Sequence, residues 1–558
     1  MIPGALHDVA EAATDVRLWH PWRRRAVLDV VDRQAFDDLQ AGLGTVLALH
    51  GEGSTAEHVV VVLPSLSLPA SLQAYYDARL PSLEHRYLLS QTMLHRRPGC
   101  EVVFVASLAP DPSVWDYYIG LAPPADRATV ARRSHVVSPE DPSPRPLATK
   151  LLGRADLLER VRALVAGRPA FIEPYNVTDA EVDVAVRLQV PINGSAPEFA
   201  CLGHKSGGRR VFAEAGVPSP TGHEDVRSAD AVVEAALAIR AIHPEAPSVV
   251  VKLDDNASGI GNVVLELGGP DDTAVENHVR AQVSGLPAWY VEELRHGGVV
   301  EELVIGQRFR SPSVQADIEP GGQVVVLGTH EQELSGPHGH TYEGCRFPAD
   351  PAYASLLAGD AEKVGQALAR HGATGRFSVD YAVVWRPAHG WTRYALEINL
   401  RRGGTSPPMS LLTNLDPGRY ETRPGRWLSA AGDTRCYRST DNLVQPRWLG
   451  LEPGRVIDAV RGAGLGWDRH RRTGVVLHLL SCLAVDGRMG LTAIARTSVE
   501  ADALYDDAVD VLGRLEAPAH RHGACPPRHP PRTGRGVEVA AAAGRRQHLG
   551  LSRTLAGR

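Results

Sequence analysis

Runs of β-branched and aliphatic residues with almost no polar interruption at 58–63 and 101–107 predict two strands buried on both faces. Residues 70–96 between them carry apolar side chains at helical spacing. The stretch 58–107 therefore reads as a βαβ unit with its loops at the carboxyl ends of the strands. Residues 1–50 read as helices with polar interruptions, 139–146 as a Pro/Ser-rich link, 151–166 as an amphipathic helix and 170–174 as a further strand. Together they predict an N-terminal α/β domain over residues 1–195.

From 196 the pattern changes. Helices are predicted at 205–215 and 229–242, the first stopped by Gly216-Val217-Pro218, and strands at 248–253, 263–267, 299–304, 313–317 and 323–329. A helix at 353–371 leads into an antiparallel pair, 376–385 and 391–400, around the turn Arg386-Pro387-Ala388-His389-Gly390. Strands at 473–480 and 490–496 and a helix at 499–515 predict a separate, small α+β lobe over 411–515. Residues 516–558, rich in Pro, Gly, Arg and His without apolar period, read as a disordered basic tail.

Composition narrows the function classes. Lys plus Arg number 59 against 65 Asp plus Glu, a net charge of −6, so the molecule as a whole has no attraction for nucleic acid or an anionic membrane. The start lacks a signal-peptide pattern, and no apolar run is long enough to cross a bilayer. Six cysteines lie far apart without a CxxC pair, which fits a reducing cytoplasm. Only four of the basic residues are lysines: Lys150, Lys205, Lys252 and Lys363. In a chain that otherwise uses arginine, each points to a place for a compact ammonium rather than a planar fork.

The chemistry concentrates in the 376–402 pair. Period-2 alternation puts Glu397, Asn399 and Arg401 on one face, with Leu396, Ile398 and Leu400 on the buried side. Pairing Arg386 with Trp391 sets Asp380 opposite Glu397, whereas a slip of one residue separates them. Two carboxylates and an amide at close quarters call for a hard cation, and such an incomplete oxygen set suits Mg²⁺. Upstream, the strand ending in Lys252 is followed by Ser258-Gly259-Ile260-Gly261-Asn262. A glycine loop there lets backbone amides approach phosphate, although an ordinary hairpin turn reads equally well from these residues alone.

These features, in this order, resemble the ATP-grasp ligases. Lys205, in Gly203-His204-Lys205-Ser206-Gly207-Gly208, and Lys252 look like the two phosphate-binding lysines. Ser258, Gly259 and Gly261 look like the flap, and Val300-Glu301-Glu302-Leu303-Val304-Ile305-Gly306 resembles the adenine-gripping hinge. Asp380, Glu397 and Asn399 match the magnesium ligands, and Arg401 the arginine beside the transferring phosphoryl group, with Arg310 and Arg402 as further candidates. The segments 62–68, 174–178, 328–332, 397–405 and 424–430 resemble the pheganomycin-type peptide ligase branch. The resemblance implies an ATP-grasp domain at 196–410, with a flap at about 210–305 and metal-site strands at 376–402, between the N-terminal domain and the C-terminal lobe. It implies ATP and Mg²⁺ as cofactors, an acyl-phosphate route to an amide bond, small-molecule or peptide carboxylate and amine substrates, and a role in peptide natural-product assembly. Many related ligases pair as homodimers. One departure is that Gln307 and Arg308, rather than a ribose-holding glutamate, follow Gly306.

Two other readings remain open on the residues: an ATP-binding sensor or scaffold without turnover, and a phosphotransferase acting on a non-carboxylate acceptor. His330, His338 and His340 with Glu331 and Glu333 could be taken for a metal cluster, but Gly336, Pro337 and Gly339 favour a mobile loop over the substrate. The resemblance places His330 and Gln332 near the active site.

Overall fold

The computed structural model describes residues 30–255, 261–335 and 341–517. The expectations for residues 1–29, for the flap residues Ser258 and Gly259, for His338 and His340 and for nearly all of the basic tail lie outside these.

The buried aliphatic runs form a parallel sheet: β1 (His58–Leu63), β2 (Cys100–Val105), β3 (Ser134–Val137) and β4 (Ala170–Pro174), in the order β3-β2-β1-β4. Every residue of β1 is buried, as expected for a parallel strand covered on both faces. The crossover from β1 to β2 is not one helix. Helix Ala70–Tyr76 ends where Asp77 takes φ 39°, and short turns Asp77–Arg79, Leu80–Leu83 and Glu84–Met93 follow, with Pro81 starting a new turn.

A second, antiparallel sheet comprises β5 (Gly222–His223), β6 (Ser248–Leu253), β7 (Asn262–Glu266) and β8 (Gly298–Glu302), ordered β5-β8-β6-β7. Helices Ala229–Ile242 and Asp272–Ser284 cover it, packing Val232, Ile239, Val275 and Val279 against Val249 and Val251.

The third sheet has eleven strands: β9 (Gln307–Arg310), β10 (Pro312–Ile318), β11 (Val324–Ser335), β12 (Thr341–Phe347), β13 (Gly375–Arg386), β14 (Gly390–Asn399), β15 (Gly418–Glu421), β16 (Arg426–Ser429), β17 (Thr434–Val444), β18 (Gly474–His478) and β19 (Arg488–Ala495). Its main path is β14-β13-β10-β11-β12-β17-β16-β15; β9 joins β13, and β19 joins β17 and β18. Helix Pro351–Arg370 backs it through Leu357, Val364 and Leu368 against Phe377, Val379 and Tyr381.

This sheet corrects the expectation of a detached C-terminal lobe. β17 pairs with β12 from Gly344↔Thr440 to Phe347↔Tyr437, so the lobe's strands continue the sheet, and helix Ser406–Leu415 runs across residue 410. The lobe also packs on the N-terminal domain, where the Tyr118 hydroxyl donates to the Leu477 carbonyl at 3.1 Å. β12 and β17 escape pattern reading because their polar residues work across strands. Arg346 and Arg438 both pair with Glu333 and Asp502, so charge replaces the apolar alternation that marks a strand.

Candidate active site

The hairpin β13–β14 turns one residue tighter than the sequence pattern suggests: Arg386 pairs with Gly390, which takes φ 69°, and Trp385 pairs with Trp391. Continued without interruption, that register would set Leu396 opposite Asp380. A β-bulge between the Asp380 and Tyr381 rungs takes up one residue of β14, and Asp380 pairs with Glu397 after all. The bulge also revises the buried face. Ala395 and Ile398 are its buried positions, and Leu396 is the partly exposed extra residue. On its other side Asp380 pairs with Ser313, which pairs with His330, so one continuous rung crosses four strands.

Positive groups converge on that rung. Lys205 Nζ lies 2.6 Å from Glu397 Oε1. The Gln332 amide donates to Asp380 Oδ1 at 2.9 Å and the Asn399 amide to Oδ2 at 3.1 Å. Lys205 reaches the rung because it starts helix Lys205–Ala215, whose first turn is held by Asp254: the Lys205 N–H donates to the Asp254 carbonyl and the Ser206 N–H to its carboxylate at 2.8 Å. Asp254 follows β6, so the strand that carries Lys252 docks at the start of the helix that carries Lys205. Burial, reinforced by Glu397, pushes the Asp380 carboxyl up to about 6. Burial also acts to raise Glu397, but Lys205, Arg401 and Lys252 outweigh it and hold that carboxyl below its ordinary value.

The exit of β14 meets the carboxyl end of β4. Arg401 lies over the Tyr175 ring, 5.4 Å from its centroid, the Arg402 N–H donates to the Tyr175 carbonyl at 3.1 Å, and the Arg402 guanidinium pairs with Glu173. Tyr175, Asn176, Arg376, Arg401 and Arg402 line a cleft at this junction.

Comparison of the sequence with known proteins shows its family. The chain is 33% identical over 427 residues to the L-propargylglycine–L-glutamate ligase of Streptantibioticus cattleyicolor, covering 75% of this chain and 86% of that protein. It belongs to the ATP-grasp carboxylate–amine ligases. It falls in their pheganomycin-type branch and is an ATP-dependent enzyme that forms C–N bonds. A family model described as the PGM1 C-terminal domain matches residues 455–508. The chain is also 25% identical over 393 residues to the IQ motif-containing protein H of Danio rerio, of which it spans 36%. Among solved structures it overlays on the biotin carboxylase of Campylobacter jejuni at 14% identity, covering 81% of this chain and 91% of that one with a TM-score of 0.47. It overlays on the N5-carboxyaminoimidazole synthase of Aspergillus clavatus at 13% identity, covering 83% and 100% with a TM-score of 0.45.

In the ligase, the segment read as a hinge, residues 300–306, has its backbone groups largely engaged. Glu301 is inside β8, paired with Gly222 on one side and Val250 on the other, and its buried carboxylate joins Lys252 and Arg209 in an ion cluster. The Glu302 N–H donates to the Thr221 carbonyl and the Leu303 N–H to the Ser248 carbonyl. Both amides are thus committed to the sheet, and Val304 is the first hinge residue beyond it. Gly261 anchors the flap's base, its carbonyl accepting from the Leu253 N–H and the Tyr290 hydroxyl. Arg310 is not brought to the rung. It is exposed, donates to the neighbouring Phe309 carbonyl, and its charge acts on Glu331 beside helix Pro351–Arg370. His330 and Glu331 lie in a strand rather than a mobile loop. His330 is fully buried, with Nε2 2.7 Å from the Tyr437 hydroxyl, and burial pushes its imidazole down to about 3.

Residue-type reasoning gave Ser313, Tyr175, Glu173, Arg209 and Asp254 no role. They act by position, through the Lys205, Lys252 and carboxylate segments they support, and Tyr175 was marked only as part of the segment 174–178.

Proposed function

We propose that this ligase activates the carboxylate of an amino acid or short peptide as an acyl phosphate and joins it to the amine of a second amino acid or peptide, in the assembly of a peptide natural product. The relative's name, pairing propargylglycine with glutamate, supports substrates of amino-acid size. The observation that carries the reading is the Asp380–Glu397 rung with Lys205, Lys252 and Arg401 around it.

The residues fit a hard divalent ion. Two carboxylates on one rung supply oxygens, which the Lys205 ammonium, the Gln332 and Asn399 amides and the Ser313 side chain meet. Asn399 offers its amide oxygen to the same ion once its O and N exchange places. Asp380, Glu397 and Asn399 would hold Mg²⁺, which neutralises phosphate charge when bound. Lys205 and Lys252 hold the phosphates of ATP, and the site must exclude water, because a hydrolysed acyl phosphate wastes ATP. Val304 and its neighbours hold the adenine edge. Arg401, kept in place by the Tyr175 ring, stabilises charge on the transferring phosphoryl group and on the tetrahedral oxyanion that the amine then forms. Arg402, already paired with Glu173, positions the cleft.

Purified protein with Mg-ATP, hydroxylamine and a library of amino acids and short peptides tests this, with ADP and hydroxamate as readouts. Donor-dependent hydroxamate, lost in Lys252→Ala and Glu397→Ala, is the expected result. ADP release without any hydroxamate, accompanied by a phosphorylated non-carboxylate acceptor, would replace it with the phosphotransferase reading.

A further inference from the structure

At the amino ends of the parallel strands, on the far side of that sheet from the cleft, three metal-ligating side chains meet. His58 opens β1 and Cys100 opens β2, and the two are direct register partners. His50, just beyond helix Leu43–Ala48, reaches over them. One ligand atom from each of the three lies within 4.8 Å of the others, and His50 Nδ1 is 2.9 Å from His58 Nε2. His58 and Cys100 are fully buried. β1 puts roughly 17 Å of strand between this cluster and the loops at its carboxyl end, so it is separate from the ATP-grasp site.

The hydrogen bonds settle which atoms are free to bind. His58 Nδ1 is 2.8 Å from the Ala56 carbonyl, which only accepts, so the ring proton sits on Nδ1 and the lone pair of Nε2 faces the cluster. A backbone carbonyl orienting the outer nitrogen in this way is the usual arrangement behind a metal-bound imidazole. His50 Nδ1 must then carry the proton shared with His58. The Cys100 thiol donates to the Glu101 carbonyl at 3.5 Å, a weak bond that leaves the sulfur lone pairs to ligate once the proton is lost.

We propose that His50 Nδ1, His58 Nε2 and Cys100 Sγ form a zinc site, with water in the fourth position. Two imidazole nitrogens and a thiolate are a donor set for a borderline-soft ion and not for Mg²⁺. On binding, the His50 proton moves to its Nε2 and the Cys100 thiol loses its proton, so one proton is released per ion. Tetrahedral zinc at about 2.0–2.1 Å from each nitrogen requires the two nitrogens to open by about 0.4 Å. The surroundings are mixed. Burial pushes the thiol up to about 12, while Arg97, which donates to the His50 carbonyl, and Arg133, which donates to the Cys100 carbonyl, favour the thiolate and oppose the incoming dication. Burial and Arg97 keep both imidazoles neutral, the form that ligates. Bound zinc would pin residues 50, 58 and 100 together at the sheet's edge.

The test uses the full chain in excess Mg²⁺, to occupy oxygen sites, with Co²⁺ as a spectroscopic probe that Zn²⁺ then displaces. One equivalent of Co²⁺ with a thiolate-to-cobalt charge-transfer band, one proton released, and a band lost in Cys100→Ser is the expected result. His50→Gln should weaken Zn²⁺ binding at least tenfold. Because His50 is only partly buried, this variant decides the matter if Cys100→Ser does not fold. No charge-transfer band, or a band that survives Cys100→Ser, overturns the proposal, as does unchanged zinc affinity in His50→Gln.

Discussion

Two carboxylate sites in this ligase, one buried and one partly exposed, are built on opposite plans. Asp416, at the end of helix Ser406–Leu415, sits between Arg435, 2.6 Å away and fully buried, and Arg472 at 3.1 Å. Opposite charges face each other there. At the Asp380–Glu397 rung, like charges face each other, and the groups that relieve them come from elsewhere: Lys205 from a helix start, Gln332 and Asn399 through single amide bonds. The first arrangement holds β17 and the segment before β18 to the helix. On the proposed function, the second leaves carboxylate oxygens for a cation that would arrive with substrate. The sign pattern of the charges, more than burial, separates the two arrangements.

The largest break in this comparison is Glu397→Gln. It removes a charge from the rung while keeping its shape, so ADP-coupled turnover should fall by ~10³-fold with an essentially unchanged unfolding midpoint. A midpoint that falls as far as the activity would make the rung structural. Arg435→Met should do the reverse. Leaving Asp416 buried beside fewer partners costs about 3–5 kcal/mol by urea unfolding, whereas turnover per folded molecule should stay within a few-fold.

A pH series sharpens the contrast further. In nucleotide-free protein the Asp380 carboxyl, pushed up to about 6 from an ordinary 3.8, keeps its proton where the unfolded chain has lost its own. Stability from this group is therefore present below about pH 4 and lost as pH rises through about 6. The melting temperature of the wild type should decline across that window relative to Asp380→Asn; parallel profiles would remove the like-charge account of the rung. The smallest effect is expected at Arg310, exposed and directed at Glu331, where Arg310→Gln should leave turnover within about twofold. A hundredfold loss would restore it to the catalytic set.

Much of the site was legible because its chemistry violates local pattern. Lys252 ends a strand of valines, and Glu397 and Asn399 interrupt an aliphatic one, so each stands out against what burial demands. The strands of the N-terminal sheet were legible for the converse reason: parallel strands covered on both faces are uninterrupted in sequence. The eleven-stranded sheet was only partly legible, since β12 and β17 carry arginines whose carboxylate partners lie on other strands and on helix Ser498–Leu512. In the segment read as a hinge, the hydrogen bonding was not legible, because the Glu302 and Leu303 amides are taken by residues far away in sequence.

The amino-acid sequence by itself determined the residue types, their order and the period of each strand, and these suffice for the family and for the reaction class. The tertiary structure alone decided that Asp380 faces Glu397. That pairing requires a tight turn and a bulge at Leu396 which cancel, and neither is encoded by alternation, because a one-residue shift moves every later side chain to the opposite face unless another shift restores it. It likewise decided that Arg310 and Arg401, equivalent as residue types, stand on different sides of the problem, since only the packing of β4 against the end of β14 brings Tyr175 beneath Arg401 and keeps its charge at the rung.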